Sequence, residues 1–327
     1  MFDASHIQPP PHSNRGTPPE TGAWWTAGDG KQLPYRSWTP ATMPATGPVG
    51  LVVTIHGIGG AASDFDTSAR SLTEQGFVVY GLELRGQGND PDHRQRGDIR
   101  GAGLWFDDLR EFHHLVSDRH PRLPVIWFGE SLGALIALHT GVSGGPGQPQ
   151  PDALVLSVPV VGFRDSLPRW QEWLLRALAR IAPTKRIDLA SLDSGNGDPL
   201  PVTTDQAYFE HMISQPHYLQ VFTLRLLRHI GELVVTSPEA ASRWHRPVLV
   251  QYAGNDVFTP APATEAFIRA FPQDAVRARL YPESHHLLFH DLQSRQAIGD
   301  IVSFLNEVVE DQQHPVDAPP PSVLPAP

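Results

Sequence analysis

The run Val125-Ile126-Trp127-Phe128-Gly129-Glu130-Ser131-Leu132-Gly133-Ala134-Leu135-Ile136-Ala137-Leu138 changes character at its middle. Its first four residues are β-branched or aromatic, the side chains that suit a buried strand. Its last seven are Leu, Ala, Ile and one Gly, the composition of a buried helix. Between them stands G-x-S-x-G, Gly129 to Gly133. A serine at a sharp strand-to-helix turn presents its hydroxyl at the end of a sheet, where it can act as a nucleophile. Glycines flank it because the turn is strained and neighbouring chain passes close. The five letters alone also fit an ordinary glycine-rich turn; the strand before them and the helix after them make Ser131 the candidate nucleophile.

Outward from this turn, strands and helices alternate through most of the chain. Strands are expected at 51–55, 78–82, 125–128, 153–157, 248–252 and 277–281, and helices at 61–75, 102–119, 132–141, 261–271 and 294–310. Continuous apolar strands separated by helices imply an α/β fold with a mostly parallel central sheet and helices on both faces. Asp29-Gly30, between Trp24-Trp25 and the aromatic run 35–38, signals a hairpin and so an antiparallel pair at the sheet edge. From 162 to 246 the alternation breaks. That stretch reads as helices and loops without a clear strand, a helical cap inserted over one end of the sheet. Ligands bind at the carboxyl ends of such strands, so a cap there shapes a pocket. The expected organisation is a core of 21–161 and 247–310 with a cap at 162–246. The proline-rich ends, 1–20 and 311–327, lack the apolar residues to fold and are expected to be disordered.

Three further motifs each follow an expected strand. In His56-Gly57-Ile58-Gly59-Gly60 the glycines let the backbone turn its N–H groups into a site. An oxyanion hole needs two such donors where negative charge develops. The candidates are the backbone N–H groups of Ile58 and of Leu132, the residue after the nucleophile. The His56 side chain reads as a brace for this loop. Ala253-Gly254-Asn255-Asp256-Val257-Phe258-Thr259-Pro260 puts Asp256 at a strand's carboxyl end. A carboxylate there can orient a histidine, although an ordinary loop aspartate has the same sequence. Ser284-His285-His286-Leu287-Leu288 supplies a general base. A metal site is the rival reading of the histidine pair, but neighbours in sequence rarely converge on one ion. Serine, aspartate, histidine is the chain order of the α/β-hydrolase triad, and the cap fills the long gap between Ser131 and Asp256. Chemistry of this kind needs no metal and no organic cofactor.

Composition closes off other classes. The 327 residues are 40% apolar and 18% charged, enough to bury a core. Lys plus Arg number 25 against 35 for Asp plus Glu, a net charge of -10, which argues against nucleic-acid binding. There is no cysteine, hence no disulfide scaffold, zinc-thiolate site, iron–sulfur cluster or thiol nucleophile. No apolar run approaches the roughly 18 residues of a membrane span. The opening MFDASHIQPPP has neither a basic region nor an apolar stretch, so no secretory signal and a cytoplasmic location are expected.

Taken together, HGIGG, GESLG, AGNDVFTP and ESHHLLFHD resemble the α/β-hydrolase family of monoacylglycerol lipases, lysophospholipases and serine aminopeptidase S33-like proteins. The likeness runs from about residue 24 to 309. It implies an α/β-hydrolase fold and a serine carboxylic-ester hydrolase acting through Ser131, His286 and Asp256 and an acyl-enzyme. The substrate implied is a small ester or lipid-like molecule. Members share a histidine followed by two mostly apolar positions, with an acid five residues on. His286 and Asp291 fit that spacing, whereas His285 would point to His290. Three departures bear on subfamily. Glu83-Leu84-Arg85-Gly86-Gln87-Gly88-Asn89 stands where the family often has D-x-R-G-x-G-x-S. Ala61-Ala62-Ser63-Asp64-Phe65 stands where a tyrosine is common. Leu132-Gly133-Ala134 lacks the usual second glycine. The serine argues against dehalogenase or epoxide hydrolase chemistry, which uses aspartate at the same turn.

Substrate class is expected to reside in the cap. Over 168–182, Trp170, Trp173, Leu174, Ala177, Leu178 and Ile181 form one apolar stripe, with Arg169, Arg176 and Arg180 off it. Two readings stay open: a helix packed on the rest of the cap, or an interfacial helix giving transient contact with a membrane surface. A second cap helix is expected near 220–234. The alternatives to ester hydrolysis are a serine aminopeptidase or amidase with the same triad, and a non-catalytic binding protein on this scaffold.

Overall fold

The computed structural model describes residues 23–44, 47–162, 179–189 and 200–313. The chain enters its sheet through a hairpin, β1 (Ala23–Thr26) and β2 (Gln32–Trp38), antiparallel and at the sheet edge. Gly30 turns the hairpin at φ 84°, where a side chain would be strained. Next come β3 (Gly50–Ile55), α1 (Asp66–Glu74), β4 (Phe77–Leu82), α2 (Gly103–Arg119), β5 (Val125–Glu130), α3 (Leu132–Ser143) and β6 (Ala153–Ser157). After β7 (Arg186–Asp188), α4 (Gln206–Ser214), β8 (Val221–Thr223) and α5 (Leu224–Ser242), the chain returns through β9 (Val248–Ala253), α6 (Ala261–Ala270), β10 (Val276–Tyr281) and α7 (Ser294–Gln313).

Eight strands form one sheet in the order β1-β2-β4-β3-β5-β6-β9-β10. β2 runs antiparallel to β4, and every pair from β4 to β10 is parallel. Strands β3, β4, β5 and β6 are buried at every position, which is why they read as unbroken apolar runs. Side chains alternate across the sheet. Ile126 and Phe128 of β5 join Ala69 and Leu72 of α1 and Ala297, Ile301 and Leu305 of α7 on one face. Trp127 joins Leu109 and Phe112 of α2 and Leu135 and Leu138 of α3 on the other. Helix α3 is buried along all but its last two residues, as a helix apolar on every side must be. The chain leaves β3 for β4 on one side and returns to β5 on the other. The order therefore reverses between β3 and β5, opening a crevice at their carboxyl ends.

The structure corrects three expectations. The stretch expected to be a purely helical cap contains a ribbon, β7 paired antiparallel with β8. Each strand is three residues long and β7 is exposed or half-buried throughout, too short and too polar to show a period of two. The helix expected near 220 starts at Leu224, where the Thr223 side chain accepts from Leu226 N–H, and runs on through Pro238. Helix α7 extends to Gln313, into the span read as tail. Most of the apolar stripe at 168–182 lies outside the described residues, as do the ends 1–22 and 314–327; of the stripe, Ile181 is 81% exposed. Among the described residues, no helix is long and apolar enough to cross a membrane.

Candidate active site

Ser131 sits between β5 and α3 at φ 54°, ψ -115°, a conformation that costs a non-glycine residue about 1–3 kcal/mol. Close packing holds it there. Its N–H donates to Ser157 O at 2.9 Å, at the end of β6. A Cβ at Gly133 would overlap the carbonyl of Ile55, and one at Gly129 would overlap the carbonyl of Gly133. Both glycines are therefore required by the approach of β3 and α3 to the turn.

Asp256 follows β9 and His286 follows β10. Far apart in sequence, they meet at the serine. His286 Nδ1 lies 2.9 Å from Asp256 Oδ2, and its Nε2 lies 3.0 Å from Ser131 Oγ. A carboxylate only accepts, so Nδ1 carries the proton and Nε2 is left to accept the serine O–H. All three residues are buried. Burial pushes the Asp256 carboxyl up, but the His286 charge, the His286 hydrogen bond and the backbone N–H groups of Phe258 and Thr259 outweigh it and hold the group below its ordinary value. The Phe258 ring meets His286 edge-on at 4.7 Å.

Beside the serine, the loop after β3 has most of its N–H groups engaged. Gly59 N–H donates to Gln87 Oε1 at 2.8 Å, Ala61 N–H to Asp64 Oδ2 at 3.0 Å, and Ala62 N–H to Glu83 Oε1 at 3.2 Å. Gly60 N–H reaches Gly57 O. The N–H groups of Ile58 and Leu132 have no acceptor among the described residues. His56 is fully buried; its Nε2 accepts from Leu84 N–H at 3.0 Å and its Nδ1 donates to Gly57 O at 2.8 Å. Burial, against the opposing effects of Glu83 and the Gly57 bond, keeps this ring neutral, and it braces the loop.

The two adjacent histidines have different partners. Asp291 does not touch His286; its Oδ2 accepts from His285 N–H at 2.5 Å and from His285 Nδ1 at 2.9 Å. Its Oδ1 accepts from Thr204 N–H at 3.1 Å and from the Thr204 hydroxyl. Sequence reasoning missed Thr204 and Gln87, whose roles exist only in three dimensions. It also passed over an acid pair. Glu130 ends the apolar row of β5, and burial and then the charge of Asp64 push its carboxyl up to about 8. Burial raises Asp64 to about 7, against the Ala61 N–H bond. The signal was in plain view: a carboxylate continuing a wholly buried strand has no water to ionise into. Among the described residues, no cluster of His and acidic side chains is arranged to hold a metal ion.

A parallel sheet with a strained serine at its reversal point is the architecture of the α/β hydrolases, and this chain is one of them. It belongs to the family described as serine aminopeptidase, S33, whose model matches residues 46–293. It is 26% identical over 276 residues to a monoacylglycerol lipase of Mycolicibacterium smegmatis, covering 84% of this chain and 93% of that one. A soluble variant of Saccharomyces cerevisiae monoglyceride lipase, solved with a substrate analog, superposes with a TM-score of 0.76 at 21% identity, covering 92% of this chain and 99% of the yeast chain. The monoacylglycerol lipase of Paleococcus ferrophilus gives 0.71 at 20% identity, over 84% and 99% of the two chains.

Proposed function

We propose that this hydrolase cleaves carboxylic esters of the monoacylglycerol and lysophospholipid class through an acyl-enzyme on Ser131. The observation that carries the reading is His286, within hydrogen-bond reach of both Ser131 Oγ and Asp256. Ser131 Oγ attacks the ester carbonyl as His286 Nε2 takes its proton. Asp256 holds the imidazole in the required tautomer and stabilises the imidazolium. The Ile58 and Leu132 N–H groups, which have no acceptor among the described residues, receive the oxyanion. His286 then protonates the departing alcohol, and water releases the acyl group by the same route. The relatives named monoacylglycerol lipase point to the substrate class.

In this reading 162–246 caps the core formed by 21–161 and 247–310, and the cap makes transient contact with a lipid surface. Exposed Ile181, Ile213 and Val221 support that contact. The family's description as serine aminopeptidase favours an aminoacyl amide as the second reading. The test is turnover of p-nitrophenyl esters from acetate to palmitate, of monoacylglycerols and of aminoacyl anilides, with wild type beside Ser131→Ala. Ester turnover that disappears in the variant supports the reading. Turnover of anilides alone replaces it with the second, and no turnover of any substrate sinks both.

A further inference from the structure

Asp291 is buried, and its carboxylate accepts from two places. One is the loop that carries His286: the N–H and ring of His285. The other is Thr204, N–H and hydroxyl, from the segment that leads into α4. Burial raises this carboxyl, but its four donors, that of the Thr204 hydroxyl foremost, hold it below its ordinary value, so it is ionised at neutral pH. The contact does not stand alone. Leu287 N–H donates to Val202 O at 2.8 Å, and the Thr203 hydroxyl donates to His290 O at 2.5 Å. The Tyr208 ring stacks on His290 at 3.6 Å with planes 7° apart. Three residues of the histidine loop, Leu287, His290 and Asp291, are thus read by one segment running from Val202 to Tyr208.

The core holds the same loop by burial of Leu288 and Phe289, the latter edge-on to Phe128 at 5.4 Å, and by polar bonds that include Asn255 N–H to Ser284 O, Ser284 N–H to Tyr281 O, the His286 bonds and His290 Nε2 to Asp64 O. We propose that Asp291 is a positioning residue that couples the 202–208 segment to the base: Thr204 docked on Asp291 sets the loop so that His286 stays in line between Asp256 and Ser131. Movement of this segment then switches the base in and out of register. The inference rests on the triad reading above, since it assigns His286 the role of base.

The test uses the full chain and three variants: Asp291→Asn, Thr204→Val and Thr204→Ser. Labelling of Ser131 by a fluorophosphonate is timed under conditions where each variant is folded by circular dichroism. This probe needs an aligned base but no particular acyl chain. p-Nitrophenyl acetate supplies kcat and KM. Misplacing a reacting group by about 1 Å costs about 10²-fold, so Asp291→Asn should slow labelling and kcat by about that factor with KM little changed. Thr204→Val should fall by about tenfold, and Thr204→Ser should restore the rate. The double variant Asp291→Asn with Thr204→Val should be no slower than Asp291→Asn alone, because both remove one linkage. In nitrogen-15 histidine spectra, the downfield Nδ1 proton of His286 should weaken in the same order. Thr204→Val at the wild-type rate, or losses that follow KM alone, overturn the proposal. Failure of the wild type to label at all overturns the triad reading instead. Should Asp291→Asn not fold, the Thr204 pair alone decides.

Discussion

The rim of the sheet and the segment that covers it are held by different means. At the rim, the buried strands β5 and β9 and the more exposed edge strand β10 deliver Ser131, Asp256 and His286, and the serine to histidine contact spans 155 residues of sequence. The backbone there has no freedom: the elbow is wedged between Ile55 and Gly133. The covering segment joins the same core through the buried Phe222, Leu226, Leu233 and Val234, and it is also attached by polar side chains. Arg225 pairs with Asp98, with Nε at 3.1 Å from Oδ1, and the Thr223 hydroxyl donates to the same oxygen at 2.6 Å. Arg186 donates to the carbonyls of Arg96 and Arg94 at 2.8 and 3.1 Å. Buried apolar packing is worth far more than partly exposed polar pairs. The rim and the buried face of the covering helix should therefore hold firmest, and the polar attachments should loosen first.

The hardest test of that contrast compares two neighbours. His286→Ala should lower kcat on p-nitrophenyl acetate by about 10⁴-fold or more, the scale of removing a triad member. His285→Ala removes one of four bonds to Asp291 and should cost less than about tenfold. Equal losses would mean that the pair works as a unit and that the rim is not so sharply defined. On stability, glycines make the same comparison. Gly133→Ala forces a methyl onto the Ile55 carbonyl and should cost more than about 3 kcal/mol by urea unfolding. Gly231→Ala, inside α5 with open space around its Cβ, should stabilise by about 0.5–1 kcal/mol. A folded, unimpaired Gly133→Ala protein would show that the elbow can relax.

What could be read from sequence follows the same division. Strands β3 to β6 were legible because burial on both faces writes an unbroken apolar run. The turn at Gly129–Gly133 was legible because a strained serine needs glycine on both sides. β7 and β8 were not, since three-residue strands, β7 burying none and β8 two adjacent ones, carry no period of two. The spacing to Asp291 singled out His286, yet the structure puts that acid on His285 and gives His286 to Asp256. A spacing rule records where a loop must close, not which atoms touch. Thr204 gives no local signal at all, because its meaning comes from a loop 87 residues away.

The buried acids give a pH dependence of intermediate size. Glu130 has its carboxyl raised from 4.5 to about 8, and Asp64 from 3.8 to about 7. An acid raised in the folded state holds its proton more tightly folded than unfolded. Its stabilisation is full below the unfolded value and is lost as pH rises toward the folded one. The native protein should thus weaken steadily between about pH 4.5 and about pH 8. Glu130→Gln keeps the shape and removes the titration, so its urea midpoint should fall less over that interval. Parallel midpoints in variant and wild type would place the pH dependence elsewhere.

The smallest effect expected is at the attachment of the cover. Arg225 and Asp98 side chains are 24% and 17% exposed, near enough to water for their attraction to be screened. Arg225→Ala should therefore cost only about 1 kcal/mol, less in about 1 M salt. A loosened cover should hardly trouble an acetate ester, which needs only the rim; kcat there should stay within about twofold. In the proposed reading long-chain esters use walls that the cover supplies, so their KM should rise while their kcat holds, the mark of lost uniform binding. If instead kcat on acetate fell along with it, the anchor at Arg225 would be transmitting strain to His286 through the 202–208 segment. The polar attachments would then belong with the rim to a single coupled body.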